Sequence, residues 1–168
     1  MIKLEKKESI YFLTMDAEEN RWNTTFVREI AEALDAIEND EGPGALITSS
    51  TNPKFFSNGL DLDWMQAPED HPDGGDREVF GEEFMYLMGR FITLPIPTIC
   101  AINGHTFGAG FMFALSHDVR IMREDRGFMC ANEMQLGLPI PRPELALFKH
   151  KIPANAFFET VQLSKRWT

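Results

Sequence analysis

Apolar and polar positions along this chain follow two spacings, the alternation typical of strands and the three-to-four-residue spacing typical of helices. Residues 3–7 and 10–15 alternate on either side of a short polar turn, which predicts a pair of strands. Residues 45–48 and 97–102 are short and mostly apolar, and they predict buried strands. Further strands are predicted at 119–122 and 128–130.

Three longer segments have helical spacing. Residues 24–39 carry an apolar stripe, and Asn23 precedes them where a helix cap belongs. Residues 78–94 and 154–164 show the same spacing. Strands that alternate with helices, without internal repeats, predict an α/β fold with right-handed crossovers. With 168 residues and 43% hydrophobic side chains, the chain is sized for one domain, residues 1–168.

The segment at residues 67–77 is rich in proline, aspartate and glycine. This composition predicts an acidic surface loop. Two interpretations remain open, a lid over a binding pocket and a disordered loop, and the composition favours the second.

Composition and charge exclude several classes of protein. The formal net charge of −10 argues against nucleic acid and anionic membranes as partners. No apolar run is long enough to span a bilayer, so no membrane segment is expected. No spacing of cysteine and histidine is typical of a metal site, so no metal is expected. Cys100 and Cys130 stand in apolar surroundings and are expected to be free buried thiols in a reducing compartment.

The most informative segment is glycine-rich and runs from Ile102 to Gly110. It follows a predicted buried strand and leads into an apolar helix. Glycine lets the backbone approach a ligand closely, and the first N–H groups of a helix have no partner within the helix. Such donors suit a carbonyl oxygen that becomes an enolate. A tight turn without a ligand is the alternative, because one glycine-rich loop is a weak signal.

A second turn of the same kind follows Phe56, where Asn58 and Gly59 precede a short predicted helix. Two separate donor turns can hold one oxyanion between them, which is more specific than either turn alone. On these two segments the chain resembles the enoyl-CoA hydratase/isomerase family, also called the crotonase superfamily. The resemblance implies an oxyanion hole formed by the backbone N–H groups of Leu60 and Ala109.

The resemblance also implies a catalytic carboxylate. The segment from Asn132 to Gly137 is similar to the one that supplies it in the family, so Glu133 is the candidate acid and base. A glutamate stabilised by a helix dipole is the alternative. The residues implied to bind the substrate are Arg21, Trp22, Phe56, Asn58, Gly59, Gly108 and Gly110. A coenzyme A ester also needs local positive charge, and the candidates are Arg21, Lys54 and Arg142, unless each is a solvated surface cation.

One position departs from the hydratases of this family, which place a second glutamate where this chain has Met112. Hydration needs one group to activate water and another to help deliver a proton, and a thioether does neither. One carboxylate suffices to shift a double bond. The chain therefore resembles 3,2-enoyl-CoA isomerases of the peroxisomal and plant type, to which residues 20–23 and 137–141 are also similar.

Two other classes of function stay open. Another reaction of the family, such as hydration, dienoyl isomerisation or thioester hydrolysis, would need a second acid. The candidates for that acid are Asp61, Asp63, Glu124 and Glu144. A CoA-binding or assembly protein without catalysis is the other class.

The resemblance implies the family's stacked β-β-α superhelix with two roughly perpendicular sheets. It implies an acyl-CoA thioester as partner, coenzyme A as part of the substrate, no separate cofactor, and a homo-oligomer that is a trimer or hexamer. Family members continue past a segment like the last residues here, so we expect the C-terminal helical region to be absent from this chain. The expected location is intracellular: cytoplasmic, or peroxisomal if a C-terminal signal has been lost.

Overall fold

The computed structural model describes residues 1–68, 70 and 76–168. In chain order the elements are β1 (Ile2–Lys7), β2 (Ile10–Met15), α1 (Thr24–Glu38), β3 (Ala45–Ser50), β4 (Phe55–Ser57), α2 (Leu62–Gln66), α3 (Arg77–Thr93), β5 (Thr98–Ile102), β6 (His105–Phe107), α4 (Ala109–Ser116), β7 (Val119–Met122), β8 (Met129–Cys130), α5 (Glu133–Leu136), α6 (Arg142–Lys151) and α7 (Ala154–Val161). The acidic loop predicted at 67–77 lies mostly outside the described residues.

Two sheets organise these elements. The five-stranded sheet has the order β1-β2-β3-β5-β7, in which β1 and β2 pair antiparallel and the other pairs are parallel. The three-stranded sheet has the order β4-β6-β8 and is parallel. Parallel neighbours need crossover connections, and the helices lie in those connections, as α1 does between β2 and β3. The predicted α/β class is therefore confirmed.

Helix α1 forms where its apolar stripe predicts it. Asn23 caps the helix, because its side-chain oxygen accepts a hydrogen bond from the N–H of Phe26 at 2.9 Å. The buried residues of the stripe are Phe26, Val27, Ile30, Ala33, Leu34 and Ile37. This face packs against α3 and β1, so it belongs to the core of the domain.

Three elements differ from the sequence-based predictions. Strand β6 lies inside the segment expected to be a single turn, and it pairs with the distant β4 and β8. Helix α6 was not predicted because prolines mark its start, yet proline is tolerated in a first turn, where the N–H has no helical partner. Helix α7 ends at Val161, short of the predicted 164, and Ser164 has a positive φ of 48°.

Helix α4 forms the centre of the core, since all of its residues are buried. The Trp22 ring packs edge-on against Phe26, Phe84 and Phe113, with ring centroids 5.0–5.1 Å apart. Phe56 is also fully buried and stacks on Phe113. This aromatic cluster holds α4 against α1 and α3.

The ionisable groups deepest in this core are structural. His117, at the end of α4, is hydrogen-bonded through its two ring nitrogens to the Phe113 carbonyl and the Thr48 hydroxyl, and burial lowers its pKa to about 4. Cys100 and Cys130 are buried and free, as predicted, and burial raises the pKa of both thiols. Within the described ranges, no helix is both long and apolar enough to cross a membrane.

Gly104 connects β5 to β6 and lies against the backbone that leads into β4. This close contact predicts how a substitution at Gly104 changes the stability of the fold. A Cβ added at Gly104 would lie 2.2 Å from the carbonyl oxygen of Lys54. That oxygen already accepts from the N–H of His105 at 2.9 Å, so neither backbone can move freely. We expect Gly104→Ala to lower the free energy of unfolding in urea by about 1–3 kcal/mol.

Gly89→Ala is the matched control for this substitution. Gly89 lies within α3, and a Cβ there would meet nothing within 4 Å. Alanine favours a helix over glycine by about 0.5–1 kcal/mol, so this variant should be slightly stabilised. Equal effects of the two substitutions would contradict the close contact.

Candidate active site

A cavity of about 520 Å³ opens where the β4–α2 turn meets the first turns of α4, α5 and α6. Of the residues that the sequence implicated, its wall contains Arg21, Asn58, Gly59, Leu60, Gly108, Ala109, Met112 and Glu133. The two predicted donor turns and the predicted carboxylate therefore face one space. A wider polar groove of about 1190 Å³ lies beyond Arg21 and contains none of Leu60, Ala109 and Glu133.

The hydroxyl of Ser57 fixes the first donor turn through three hydrogen bonds. This oxygen donates to the carbonyl of Asn20 at 2.7 Å and accepts from the Trp22 indole N–H at 3.1 Å. It also accepts from the N–H of Gly59 at 3.3 Å. Gly59 has a positive φ of 82°, which glycine adopts without strain and which turns the chain toward the cavity.

The N–H of Leu60 is left unpaired by the bridge that fixes its neighbours. Trp22 donates its N–H to the carbonyl of Gly59 and accepts from the N–H of Asp61, both at 2.9 Å. In a parallel bridge of this kind the N–H of the central residue points to the other side. Within the described part of the chain, Leu60 N–H has no protein acceptor.

The second donor turn is the start of α4. Gly108 precedes the helix with φ 45° and ψ −116°, a conformation that glycine accommodates. Its N–H donates to the carbonyl of Cys130 at 3.0 Å, which anchors the turn to β8. Ala109 is the first helical residue, so its N–H has no acceptor within the helix, and the helix dipole makes this end favourable for negative charge.

The two turns are pressed against each other at Gly110. A Cβ on Gly110 would lie 2.5 Å from the Cβ of Ser57 and 2.6 Å from its hydroxyl oxygen. Only glycine permits this approach. Gly110 thus acts behind the cavity wall and does not line it, and the same is true of the fully buried Trp22 and Phe56. These three residues were expected to contact substrate, and that expectation stays a prediction; in this structure each supports the first donor turn or the core behind it.

Glu133 lies next to the second donor turn. A Cβ on Gly108 would come within 2.9 Å of Glu133 Oε1, so the carboxylate sits against the bare glycine. The residue is only 9% exposed, and among the described residues its Oε2 has no hydrogen-bond partner. Burial raises the pKa of this carboxyl, and its own backbone N–H offsets part of that effect. A carboxylate that is buried without a partner is a good base.

A second carboxyl group, Glu144 of α6, lines the same cavity. Burial and the charge of Glu133 raise the pKa of Glu144 to about 7. The sequence left it as one of four candidates for a second acid. Of the others, Asp61 caps α2 by accepting from Trp64 N–H at 3.1 Å, and Asp63 pairs with Arg21 at 2.7 Å.

Of the three cations expected near a coenzyme A site, one lines the cavity and two do not. Arg21 lines the cavity, but its guanidinium is held between Glu19 at 2.8 Å and Asp63 at 2.7 Å. Lys54 and Arg142 lie outside the cavity wall and are exposed. The structure therefore brings one of the three to the cavity, with its charge already neutralised.

Comparison with known proteins identifies the family of this chain. Residues 5–168 match the family model described as enoyl-CoA hydratase/isomerase, and the chain belongs to that family. It is 34% identical over 166 residues to enoyl-CoA delta isomerase 2, peroxisomal, of Arabidopsis thaliana, covering 98% of this chain and 69% of the relative. It is 35% identical over 153 residues to enoyl-CoA delta isomerase 3 of the same plant, covering 90% of this chain and 64% of the relative.

Solved structures agree on the fold. The crystal structure of enoyl-CoA hydratase EchA3 from Mycobacterium ulcerans superposes with a TM-score of 0.88 at 24% identity, covering 99% of this chain and 70% of that one. The crotonase-like fold is thereby confirmed. The chain spans about two thirds of the length of the relatives it matches.

The raised pKa of Glu144 predicts a pH-dependent effect on stability. A carboxyl whose pKa is higher in the folded state binds its proton more tightly there, so folding is favoured at low pH and loses stability as pH rises from about 4.5 to about 7. Glu144→Gln removes this loss. We expect its melting temperature to exceed that of the wild type at pH 8 and to equal it near pH 4.

Glu124→Gln is the matched control, since Glu124 is exposed and lies outside the cavity wall. Thermal unfolding followed by circular dichroism at both pH values measures the effect. A Glu144→Gln variant that is less stable than the wild type at pH 8 would contradict the buried position of this carboxyl.

Proposed function

We propose that this chain shifts the double bond of a 3-enoyl-CoA to the 2-position through a thioester enolate, in fatty acid metabolism. The observation that supports this most is that Glu133 lines one cavity with Leu60 and Ala109 while its Oε2 has no hydrogen-bond partner in the part of the chain that the structure describes. The thioester oxygen would accept from the two backbone N–H groups. Glu133 would remove a proton from the carbon next to the thioester and return one at the far end of the dienolate.

The two N–H donors act where negative charge develops. Proton removal moves charge onto the thioester oxygen, and fixed donors in a partly desolvated cavity stabilise that charge without reorganising. One such donor contributes about 3–4 kcal/mol in known oxyanion holes. Because the donors of Leu60 and Ala109 belong to the backbone, side-chain substitution at either residue does not remove them.

The rest of the cavity wall fits an acyl chain. Phe80, Phe84, Leu136 and Leu138 supply apolar surface to the cavity wall. Coenzyme A is part of the substrate in this proposal, and a proton shift of this kind needs no separate cofactor. The name "enoyl-CoA delta isomerase" borne by the Arabidopsis relatives supports the same reaction.

The oligomeric state and the cellular location of the protein are also part of the proposal. Phe158 is 61% exposed and Leu163 is 71% exposed near the C-terminal end, and exposed apolar side chains favour association. We propose a homo-oligomer, a trimer or hexamer. We also propose an intracellular location, cytoplasmic or peroxisomal; two of the Arabidopsis relatives are named peroxisomal.

Glu133→Gln tests the assigned base. The amide keeps the shape of the side chain but cannot accept the proton, so kcat with a 3-enoyl-CoA should fall by about 10²–10⁴-fold. Binding of a saturated acyl-CoA, measured by calorimetry, should stay close to that of the wild type. Glu124→Gln, which alters an exposed glutamate outside the cavity, is the control. A Glu133→Gln variant with wild-type kcat would assign the chemistry to another residue.

The proposal also predicts which reaction is absent. Met112 lines the cavity in the first turn of α4 and can neither activate water nor donate a proton. Glu144 supplies a second carboxyl from α6, but Met112 leaves the α4 side of the cavity without a group that can hold and activate water. Hydration of a 2-enoyl-CoA should therefore be slower than isomerisation by about 10²-fold or more. Absorbance assays of both reactions on the same preparation measure this ratio. Comparable rates would favour the hydratase alternative.

A further inference from the structure

Three carboxyl groups on different helices line the cavity: Asp63 on α2, which is paired with Arg21, Glu133 on α5 and Glu144 on α6. We propose that Glu144 is a second catalytic residue, which donates the proton to the far carbon of the dienolate while Glu133 removes the proton beside the thioester. The inference rests on the proposed isomerase function. It assigns proton removal and proton donation to two residues, whereas Glu133 alone would otherwise perform both steps.

The geometry around Glu133 provides the independent support. Its Oε2 is buried and, within the described residues, meets no protein donor. Such a carboxylate keeps lone pairs that no protein donor satisfies, in a residue that lines the cavity. A second carboxyl in the same cavity cannot ionise easily while Glu133 is charged, because two like charges in a poorly hydrated space repel each other.

The result is a base and an acid in the same cavity. Burial and the charge of Glu133 raise the pKa of Glu144 to about 7, so close to neutral pH a large fraction of Glu144 carries a proton. Carboxyl groups whose environments separate their pKa values are suited to opposite roles in catalysis.

Among the residues that the structure describes, the other charged groups near α6 are paired or lie away from Glu144. Helix α6 packs against α4 and α7; α4 carries no ionisable side chain, and Glu159 of α7 is paired with Lys165. At the mouth of the cavity Arg21 and Asp63 neutralise each other. On α6 itself Arg142 is exposed, and the basic residues of the last turn lie at the opposite end from Glu144. Within the described chain, the neighbour that sets the charge state of Glu144 is Glu133.

The proton transfers balance as follows. Glu133 forms an O–H bond as the C2–H bond breaks, and the electron pair moves into a C1–C2 double bond while the thioester carbonyl pair moves to oxygen. The carbonyl then reforms, the C1–C2 pair becomes the C2–C3 double bond, and the former C3–C4 pair takes the proton of Glu144 to form a C4–H bond. Glu133 ends protonated and Glu144 ionised. A proton returns from Glu133 to Glu144, directly or through water, so no proton and no electron is gained or lost.

This assignment predicts a particular pH profile. Activity needs Glu133 ionised and Glu144 protonated, so kcat/KM should rise through the first apparent pKa of the pair and fall through the second, near 7. Glu144→Gln should lower kcat about 10²-fold with little change in KM, and its profile should lack the alkaline fall. Glu144→Asp keeps a proton donor, so it should recover part of kcat and restore the alkaline fall.

The controls separate this inference from the proposed function. Glu124→Gln should behave as the wild type. If the wild type does not isomerise a 3-enoyl-CoA, or Glu133→Gln is fully active, the proposed function fails. If the wild type is active, Glu133→Gln is inactive and Glu144→Gln keeps the wild-type kcat and pH profile, the role of Glu144 alone is refuted.

An isotope experiment gives a second readout that a structural role would not change. The substrate carries deuterium at C2, the enzyme is in excess, and the product of one turnover is analysed for deuterium at C4. With two residues, the wild type should place solvent hydrogen at C4 and no substrate deuterium. Transfer of deuterium from C2 to C4 by the wild type would show that Glu133 acts alone and would overturn the inference.

Discussion

The site depends on the contact between Gly110 and Ser57. These residues belong to the two separate turns that present the backbone donors, and they approach so closely that a single methyl group on Gly110 would fall 2.5 Å from Ser57 Cβ. Leu60 follows Ser57 by three residues, and Ala109 directly precedes Gly110. The contact therefore sets how near the two N–H groups can lie. The Ser57 hydroxyl extends the same restraint to Asn20, Trp22 and Gly59 through its hydrogen bonds.

The electrostatics of the cavity follow from this packing. Glycine at position 108 leaves room for the Glu133 carboxylate, which is buried against it and whose Oε2 has no hydrogen-bond partner among the described residues. Burying an unpaired charge is unfavourable, and the raised pKa of Glu133 reflects that cost. The same low polarity strengthens the interaction of the backbone donors with an enolate oxygen. The low polarity of the cavity thus makes Glu133 a better base, and it strengthens the stabilisation of negative charge by the N–H groups of the donor turns.

Local patterns predicted much of the fold and the centre of the site. The capped stripe of α1 and the alternation of β1 and β2 depend on neighbouring residues, so a sequence reveals them directly. The donor turns containing Leu60 and Ala109 could be recognised for a similar reason, because Asn-Gly and glycine-rich signals are local. Strand β6 could not, since it has three residues and its pairing depends on β4 and β8, which are remote in sequence.

The supporting residues and the second acid were harder to predict. Ser57 is a small polar residue beside a turn, and its role arises only when it meets Gly110 and Trp22 in space. Glu144 follows two prolines that mark a break in the pattern, and its contact with the cavity comes from the packing of α6 on α4. Trp22, Phe56 and Gly110 were predicted to contact substrate from a motif, and the structure adds that they are buried and do not line the cavity.

The central claim is that the N–H groups of Leu60 and Ala109 share the thioester oxygen. No side-chain substitution removes a backbone donor, so spectroscopy of the bound ligand is the most direct test. Infrared difference spectra of hexanoyl-CoA labelled with ¹³C at the thioester carbonyl report the polarisation of that bond in the site. We predict that the carbonyl stretch moves to lower frequency on binding than in water, because two fixed donors withdraw electron density from the double bond. A bound ligand whose carbonyl stretch stays at its aqueous frequency would contradict the account.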